Sequence, residues 1–303
     1  MHKEIIKASG LVKKFGGFTA LKNVSLSVAE GEVFGFIGPN GAGKSTTIRI
    51  LLGILKATQG NAEVFGLDAW SNSVEIHKKI AYVPGDVSLW PNLTGGEVID
   101  FFGNLRGGIN GQKRKKLIAD FDLDTRKKCR TYSKGNRQKV ALVAAFASDA
   151  DLFILDEPTS GLDPLMEQVF QSCVADVKAA GKTILLSSHI LQEVERLCGK
   201  VAIIRAGEIV QTGTLAVLKG LTRIRMTVRT AKPCLVLNKA AGVYNVLSLG
   251  GTEVSGGTEV SFDADEDAVA GIISFLAPFG VLRIESAEPT LEELFMKHYG
   301  AGE

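Results

Sequence analysis

One stretch constrains this chain more than any other: Gly38, Pro39, Asn40, Gly41, Ala42, Gly43, Lys44, Ser45 and Thr46 in succession. The spacing is G-x-x-x-x-G-K-[ST], and its flanks are those the spacing requires, residues 32–37 reading as a buried strand and 47–55 as a helix. Glycine at 38, 41 and 43 lets successive backbone N–H groups turn inward, and the helix that follows adds the partial positive charge of its N-terminus. Such a loop cradles the phosphates of a nucleotide. Lys44 is then the point charge for the β- and γ-phosphates, and the Ser45 hydroxyl is an oxygen ligand for Mg²⁺.

Composition adds limits. With 35 basic and 33 acidic residues the net charge is +2, so no global field draws the chain to nucleic acid or to an anionic membrane. The one basic run, Lys113 to Lys116, reads as the solvated face of a helix, and no nucleic-acid partner is expected. The four cysteines are scattered without a C-x-x-C pair, which suits idle thiols in a reducing compartment better than a disulfide framework or zinc site. The N-terminus lacks the apolar stretch of a signal peptide, and no apolar run approaches the ~20 residues of a membrane helix. The expectation is a cytosolic chain that reaches a membrane only through a partner.

Along the chain, residues 5–12 and 24–28 read as an antiparallel pair, with Phe15 in the turn-like segment between them. From 85 to about 147 the pattern changes to helices at 96–105, 112–121 and 135–147, an inserted block suited to facing a partner. Strand and helix then alternate: a buried strand at 152–156, a helix at 165–180, a buried strand at 183–188, a helix at 190–197, and a hairpin through Ala206 and Gly207. This is the signature of an α/β domain with a mainly parallel sheet. After 219 short strands at 224–230, 244–249, 258–262 and 281–285, with helical stretches at 235–241, 266–276 and 291–299, read as a small α+β domain.

Asp156 closes an apolar strand and so emerges at the carboxyl edge of the sheet, where open α/β folds bind ligands. It is the natural second Mg²⁺ ligand, and Glu157 beside it is positioned to act as general base. His189 follows the strand 183–188 onto the same edge, within reach of a γ-phosphate.

These residues resemble the ATP-binding subunit of an ABC transporter over about residues 1–218. Gly38 to Thr46 are similar to its Walker A, Leu152 to Glu157 to its Walker B with the catalytic glutamate, Ser160 to Asp163 to its D-loop, and His189 to its switch histidine. Phe15 corresponds to the aromatic that stacks on adenine. The family signature L-S-G-G-Q stands here as Tyr132, Ser133, Lys134, Gly135 and Asn136, matching at Ser133 and Gly135 and departing at Lys134 and Asn136. A second departure is Gly85, where the family carries a glutamine after the proline.

The resemblance implies a P-loop fold with an N-terminal antiparallel β subdomain, a helical subdomain at about 86–147, and a division into 1–219 and 220–303. It also implies a head-to-tail dimer of two copies binding ATP and Mg²⁺, with Ser133, Lys134, Gly135, Asn136 and Asp163 of one copy completing the site of the other. Glu157, His189 and Lys44 are the expected catalytic residues. The implied partner is a separate multi-spanning permease used for export, which would hold the chain at the cytoplasmic face of the membrane. Two alternatives stay open: an ABC-type ATPase acting on ribosomes or nucleic acid, and an ATP-regulated assembly module with weak hydrolysis.

Overall fold

The computed structural model describes residues 3–105, 108–220, 223–234, 237, 240–251, 258–287 and 290–292. The chain divides into two units, 1–215 and 216–303.

In the first unit, alternation of buried and exposed residues carries β1 (Glu4–Phe15) and β2 (Phe18–Ala29), paired antiparallel out to Phe15 against Phe18 around Gly16-Gly17. Both run further than the apolar pattern predicts. Strand pairing needs only backbone N–H and C=O groups, so the ladder extends through Lys13, Lys14 and Phe15 although Lys14 and Phe15 are exposed and Lys13 turns its ammonium to the Lys56 carbonyl at 2.8 Å. After β3 (Val33–Ile37), buried at every position, come α1 (Lys44–Leu51), β4 (Gln59–Val64), β5 (Leu67–Asp68), α2 (Ser73–His77) and β6 (Ile80–Val83). The sheet β2-β1-β4-β5 is antiparallel throughout.

The helical block is α3 (Gly95–Leu105), α4 (Gly111–Asp120) and α5 (Lys134–Phe146). Asn110 caps α4 by accepting from the Gln112 and Lys113 N–H groups, and Ser133 caps α5 by accepting from the Asn136 N–H. On α4, Arg114 makes a bidentate bridge to Asp100 at 2.6 and 3.0 Å, so part of the basic run is neutralised within the fold.

Next come β7 (Leu152–Asp156), α6 (Pro164–Ala179), β8 (Thr183–Ser188), α7 (Leu191–Leu197), β9 (Lys200–Arg205), β10 (Glu208–Thr214) and α8 (Leu215–Gly220), which crosses the unit boundary. The second sheet has the order β10-β9-β3-β8-β7-β6, parallel from β9 to β6 with β10 antiparallel at the edge. One core packs Ile48 and Leu51 of α1 between Ile6, Leu11, Val28 and Val64 of the antiparallel sheet and Phe34, Phe36, Leu152 and Ile154 of the parallel one. Opposite, Phe146 stacks on Phe153 and tilts against Phe170, with ring centroids 5.9 and 6.0 Å apart.

In the second unit β11 (Ile224–Thr230), β12 (Val243–Gly251), β13 (Thr258–Ala264) and β14 (Val281–Ala287) form an antiparallel sheet in the order β12-β13-β11-β14. Met226, Val228, Val260 and Phe262 pack with Ile272 and Leu276 of α9 (Val269–Leu276). The helix expected at 235–241 falls mostly outside the described residues, as does all of the one at 291–299 beyond Glu292.

All four thiols, Cys129, Cys173, Cys198 and Cys234, are buried. Burial pushes Cys173 up to about 12 and raises Cys198 further, so neither supplies thiolate near neutrality. The folded chain should therefore react slowly with a maleimide at neutral pH, with labelling of all four appearing only after denaturation; mass spectrometry before and after unfolding measures it.

Candidate active site

The phosphate loop is held from below. The Gly207 N–H donates to the Ala42 carbonyl at 2.9 Å, tying the loop to the β9–β10 turn, and Ala42 N–H donates to Pro39 O at 3.2 Å. Gly43 sits at φ 114° immediately before α1, where a Cβ would come within 2.7 Å of Leu21 Cδ2. Only glycine meets both the angle and the space. Because Gly43 makes the turn, α1 begins at Lys44 rather than at residue 47, and Lys44, Ser45 and Thr46 form its first turn.

Lys44 is 4% exposed. Its ammonium donates to Gly38 O at 2.5 Å and Pro39 O at 3.2 Å and stands 3.3 Å from Glu157 Oε1, which engages all three of its donors. The same carboxylate oxygen lies 3.4 Å from His189 Nδ1. Glu157 thus stands between the phosphate-loop lysine and the histidine. Its backbone is left-handed at φ 48°, an uncommon conformation for a residue other than glycine, held by its N–H donating to Ser187 O at 2.9 Å and its carbonyl accepting from Ser160 N–H at 3.1 Å.

Parallel register aligns these groups. Ile37 pairs with Ser188 and Asp156 with Ser187, so the ends of β3, β8 and β7 share one edge. Asp156 is 4% exposed, accepts from the Ser187 hydroxyl, and among the described residues forms no ion pair. A buried carboxylate without a cationic partner is costly, and a hard cation relieves that cost. Two protein oxygens, Ser45 hydroxyl and Asp156 carboxylate, suffice for Mg²⁺, whose other positions are filled by phosphate and water. The donor set therefore fits Mg²⁺. Burial, then the negative charge of Asp156, pushes the neighbouring Tyr82 phenol up to about 12. Gly85 lies against the same segment, since a Cβ there would sit 3.2 Å from Asp156 O and 3.6 Å from Glu157 Cβ.

A cavity of about 290 Å³ opens over the loop, lined by Phe15, Phe18, Ala20, Pro39, Asn40, Gly41, Gly43, Lys44, Ser45, Thr46 and Glu157. Phe15 is 48% and Phe18 65% exposed at the tip of the β1–β2 hairpin. Two rings presented to water beside a phosphate cradle make a platform for a planar base. Phe18 and Ala20 were not singled out by sequence; the register Phe15↔Phe18, which places both at one tip, depends on the two-residue turn.

Ser133, Lys134, Gly135 and Asn136 are not among the residues lining this cavity. They form the start of α5 and pack on the D-loop of the same chain. Lys134 Nζ donates to Ser160 Oγ at 2.8 Å, and a Cβ on Gly135 would lie 2.4 Å from Gly161 O, which rules out any larger residue. Behind them the buried Gln138 amide donates to Pro158 O at 2.9 Å. Asp163 caps α6, accepting from Met166 N–H at 3.0 Å, and also lies away from the cavity lining. The Lys134 charge is thus directed into an intrachain contact that sequence could not show.

The phosphate loop between β3 and α1, with carboxylates and a histidine on the same strand-end edge, defines a P-loop nucleoside triphosphatase. The model of the ABC transporter family matches residues 21–160. Over 308 residues the chain is 30% identical to the linearmycin resistance ATP-binding protein LnrL of Bacillus subtilis, covering 98% of each chain. It is 38% identical over 205 residues to the ABC transporter ATP-binding protein NatA of the same species, covering 65% of this chain and 82% of that one. Among solved structures, an ATP-binding subunit of an ABC transporter superposes with TM-score 0.66 at 31% identity over 71% of this chain and 92% of the other. A dimeric bacterial ABC transporter cassette does so with TM-score 0.63 at 26% identity, over 69% and 98%. The chain belongs to the ATP-binding proteins of ABC transporters and is an ATP hydrolase.

Proposed function

We propose that this chain is the ATPase subunit of an exporter whose membrane path is a separate permease. Two copies pair head to tail, each phosphate loop facing the Ser133-Lys134-Gly135-Asn136 segment of the other. The observation that carries the chemistry is the meeting of Lys44, Glu157 and His189 on one sheet edge beneath an exposed aromatic hairpin tip.

Phe15, with Phe18, stacks on the adenine. Backbone N–H groups of the loop and the Lys44 ammonium hold the phosphates, and Ser45 and Asp156 would hold Mg²⁺, which would supply positive charge to the phosphoryl group under attack. Glu157 accepts a proton from the attacking water, and His189 fixes the γ-phosphate and the Glu157 carboxylate relative to each other. Ser133 and Gly135 sit at a helix start, where unpaired N–H groups favour an anion from the second copy.

Phe15→Ala should weaken ATP and adenosine by the same factor, since stacking acts on the base alone. The expected loss is about 1–3 kcal/mol, ~5- to 150-fold in Kd by calorimetry.

Two observations support the exporter reading. The similarity to LnrL runs the whole length, including the residues beyond 215. In the helical block, Trp90, Phe101 and Phe102 cluster with ring centroids 5.2–6.0 Å apart, Trp90 and Phe101 being exposed. Clustered exposed aromatics are the composition of a protein-binding surface. Among the described residues no helix is long and apolar enough to cross a membrane. The permease would supply the spans and hold this chain at the cytoplasmic face. The relative's link to linearmycin resistance makes an antibiotic-like compound the proposed cargo class.

Tagged protein drawn from detergent-solubilised membranes is expected to bring with it a multi-spanning membrane protein, and ATP turnover should rise when the two are reconstituted. Co-purification with ribosomes or nucleic acid in place of a membrane chain would overturn the reading.

A further inference from the structure

Four residues beyond His189 a carboxylate is buried where an apolar side chain would cost less. Glu193 lies in the first turn of α7 and is 7% exposed. Burial raises its carboxyl above the ordinary range, with the Ser188 and Thr159 hydroxyls pulling the other way. Oε2 accepts from Ser188 Oγ at 2.6 Å, and Ser188 Oγ in turn accepts from Ile190 N–H at 3.0 Å. The other oxygen, Oε1, faces the Thr159 hydroxyl outside ideal hydrogen-bond geometry, and Glu193 borders a cavity of about 170 Å³ also lined by Thr159, Glu167, Gln171 and Arg196.

Each bond falls beside the histidine. Ser188 ends β8 in register with Ile37, fixing the backbone before His189, and the Ser188 hydroxyl fixes the backbone after it. The His189 ring itself is about half exposed, and among the described residues its Glu157 contact is its one charged neighbour within salt-bridge distance. Packing does not hold it in place; the two flanking residues do. Burying a carboxyl costs more than burying a leucine of similar size, so the position favours a side chain that can accept a hydrogen bond from Ser188. The cavity puts the same carboxyl beside Thr159, two residues past Glu157.

We propose that Glu193 is a positioning residue for ATP hydrolysis: through Ser188 it sets the place of His189 against Glu157 and the γ-phosphate. The inference rests on the roles given above to Glu157 and His189. Without the strut, residues 188–190 are free to shift, and a displacement of about 1 Å in a catalytic group costs on the order of 100-fold in rate.

The test compares MgATP turnover and ATP affinity for the full-length wild type, Glu193→Ala, Glu193→Gln, Ser188→Ala, His189→Ala and the double variant Glu193→Ala/His189→Ala. Glu193→Ala and Ser188→Ala should lower kcat by about 10- to 100-fold while Kd for ATP changes by less than ~2-fold. Glu193→Gln keeps an acceptor for Ser188 and should stay within ~3-fold of wild type. The double variant should be no slower than His189→Ala alone, because both changes remove one function.

Two results overturn the inference: wild-type turnover in Glu193→Ala, or losses that multiply in the double variant. Should Glu193→Ala fail to fold, Ser188→Ala, which deletes one hydroxyl, and its double with His189→Ala carry the same comparison. A fully active His189→Ala overturns the role assigned to His189 together with this inference. An inactive His189→Ala beside an active Glu193→Ala overturns this inference alone.

Discussion

Glu157→Gln should abolish turnover while leaving nucleotide binding intact or tighter, and should trap an ATP-bound dimer. In the structure the Glu157 carboxylate stands 3.3 Å from Lys44 Nζ and 3.4 Å from His189 Nδ1. Removing its charge takes a base from the attacking water, a loss of about 10²- to 10⁴-fold in kcat. It also frees Lys44 from a competing anion and lowers the negative potential where a triphosphate must sit, so Kd for ATP should fall or stay level. A dimer that forms on ATP and dissolves on hydrolysis then persists, which light scattering behind a sizing column detects. Unchanged hydrolysis would remove Glu157 from the role of base, and loss of ATP binding would make its part structural.

Lys44→Ala is expected to act on the opposite quantity. The ammonium is nearly buried and is the cation nearest the loop's own carbonyls and Glu157. Truncating one side of a buried charge pair costs about 2–4 kcal/mol, which is ~30- to 1000-fold in Kd for ATP. Adenosine carries no phosphate and should bind as it does to the wild type. Calorimetry with both ligands separates the two ends of the site, since Phe15→Ala weakens both and Lys44→Ala only the triphosphate. If adenosine weakens equally, the substitution has collapsed the cavity and the lysine is not the phosphate anchor.

Much of the site is legible in the sequence because its parts are local. The glycine spacing of 38–43 encodes a loop, the apolar runs before Asp156 and His189 encode strands that end there, and strand ends in an open α/β sheet face the ligand. The alternation in residues 24–28 announces half of the β1–β2 hairpin. Its outer end is not announced, because the backbone ladder continues through Lys13, Lys14 and Phe15, where side-chain pattern is silent.

What is hidden is every contact between distant segments. Nothing in the order of residues says that β8 lies between β3 and β7, and that placement brings Lys44, Glu157 and His189 to one edge. Lys134 reads as a departure from a signature, and only the fold shows its ammonium on Ser160. Gly85 likewise reads as a missing glutamine, and the fold shows it packed against Asp156 and Glu157. Glu193 carries no signal in the sequence, and only the fold buries its carboxylate and sets it on the Ser188 hydroxyl.

The sequence by itself determined which chemical groups are present and which short elements carry them, because phosphate loops, caps and buried strands are set by neighbours in the chain. The tertiary structure alone decided which of those groups meet. Register between parallel strands is a property of the whole sheet, so the approach of Lys44 to Glu157 and of Ser188 to Glu193 exists only once the strands are side by side.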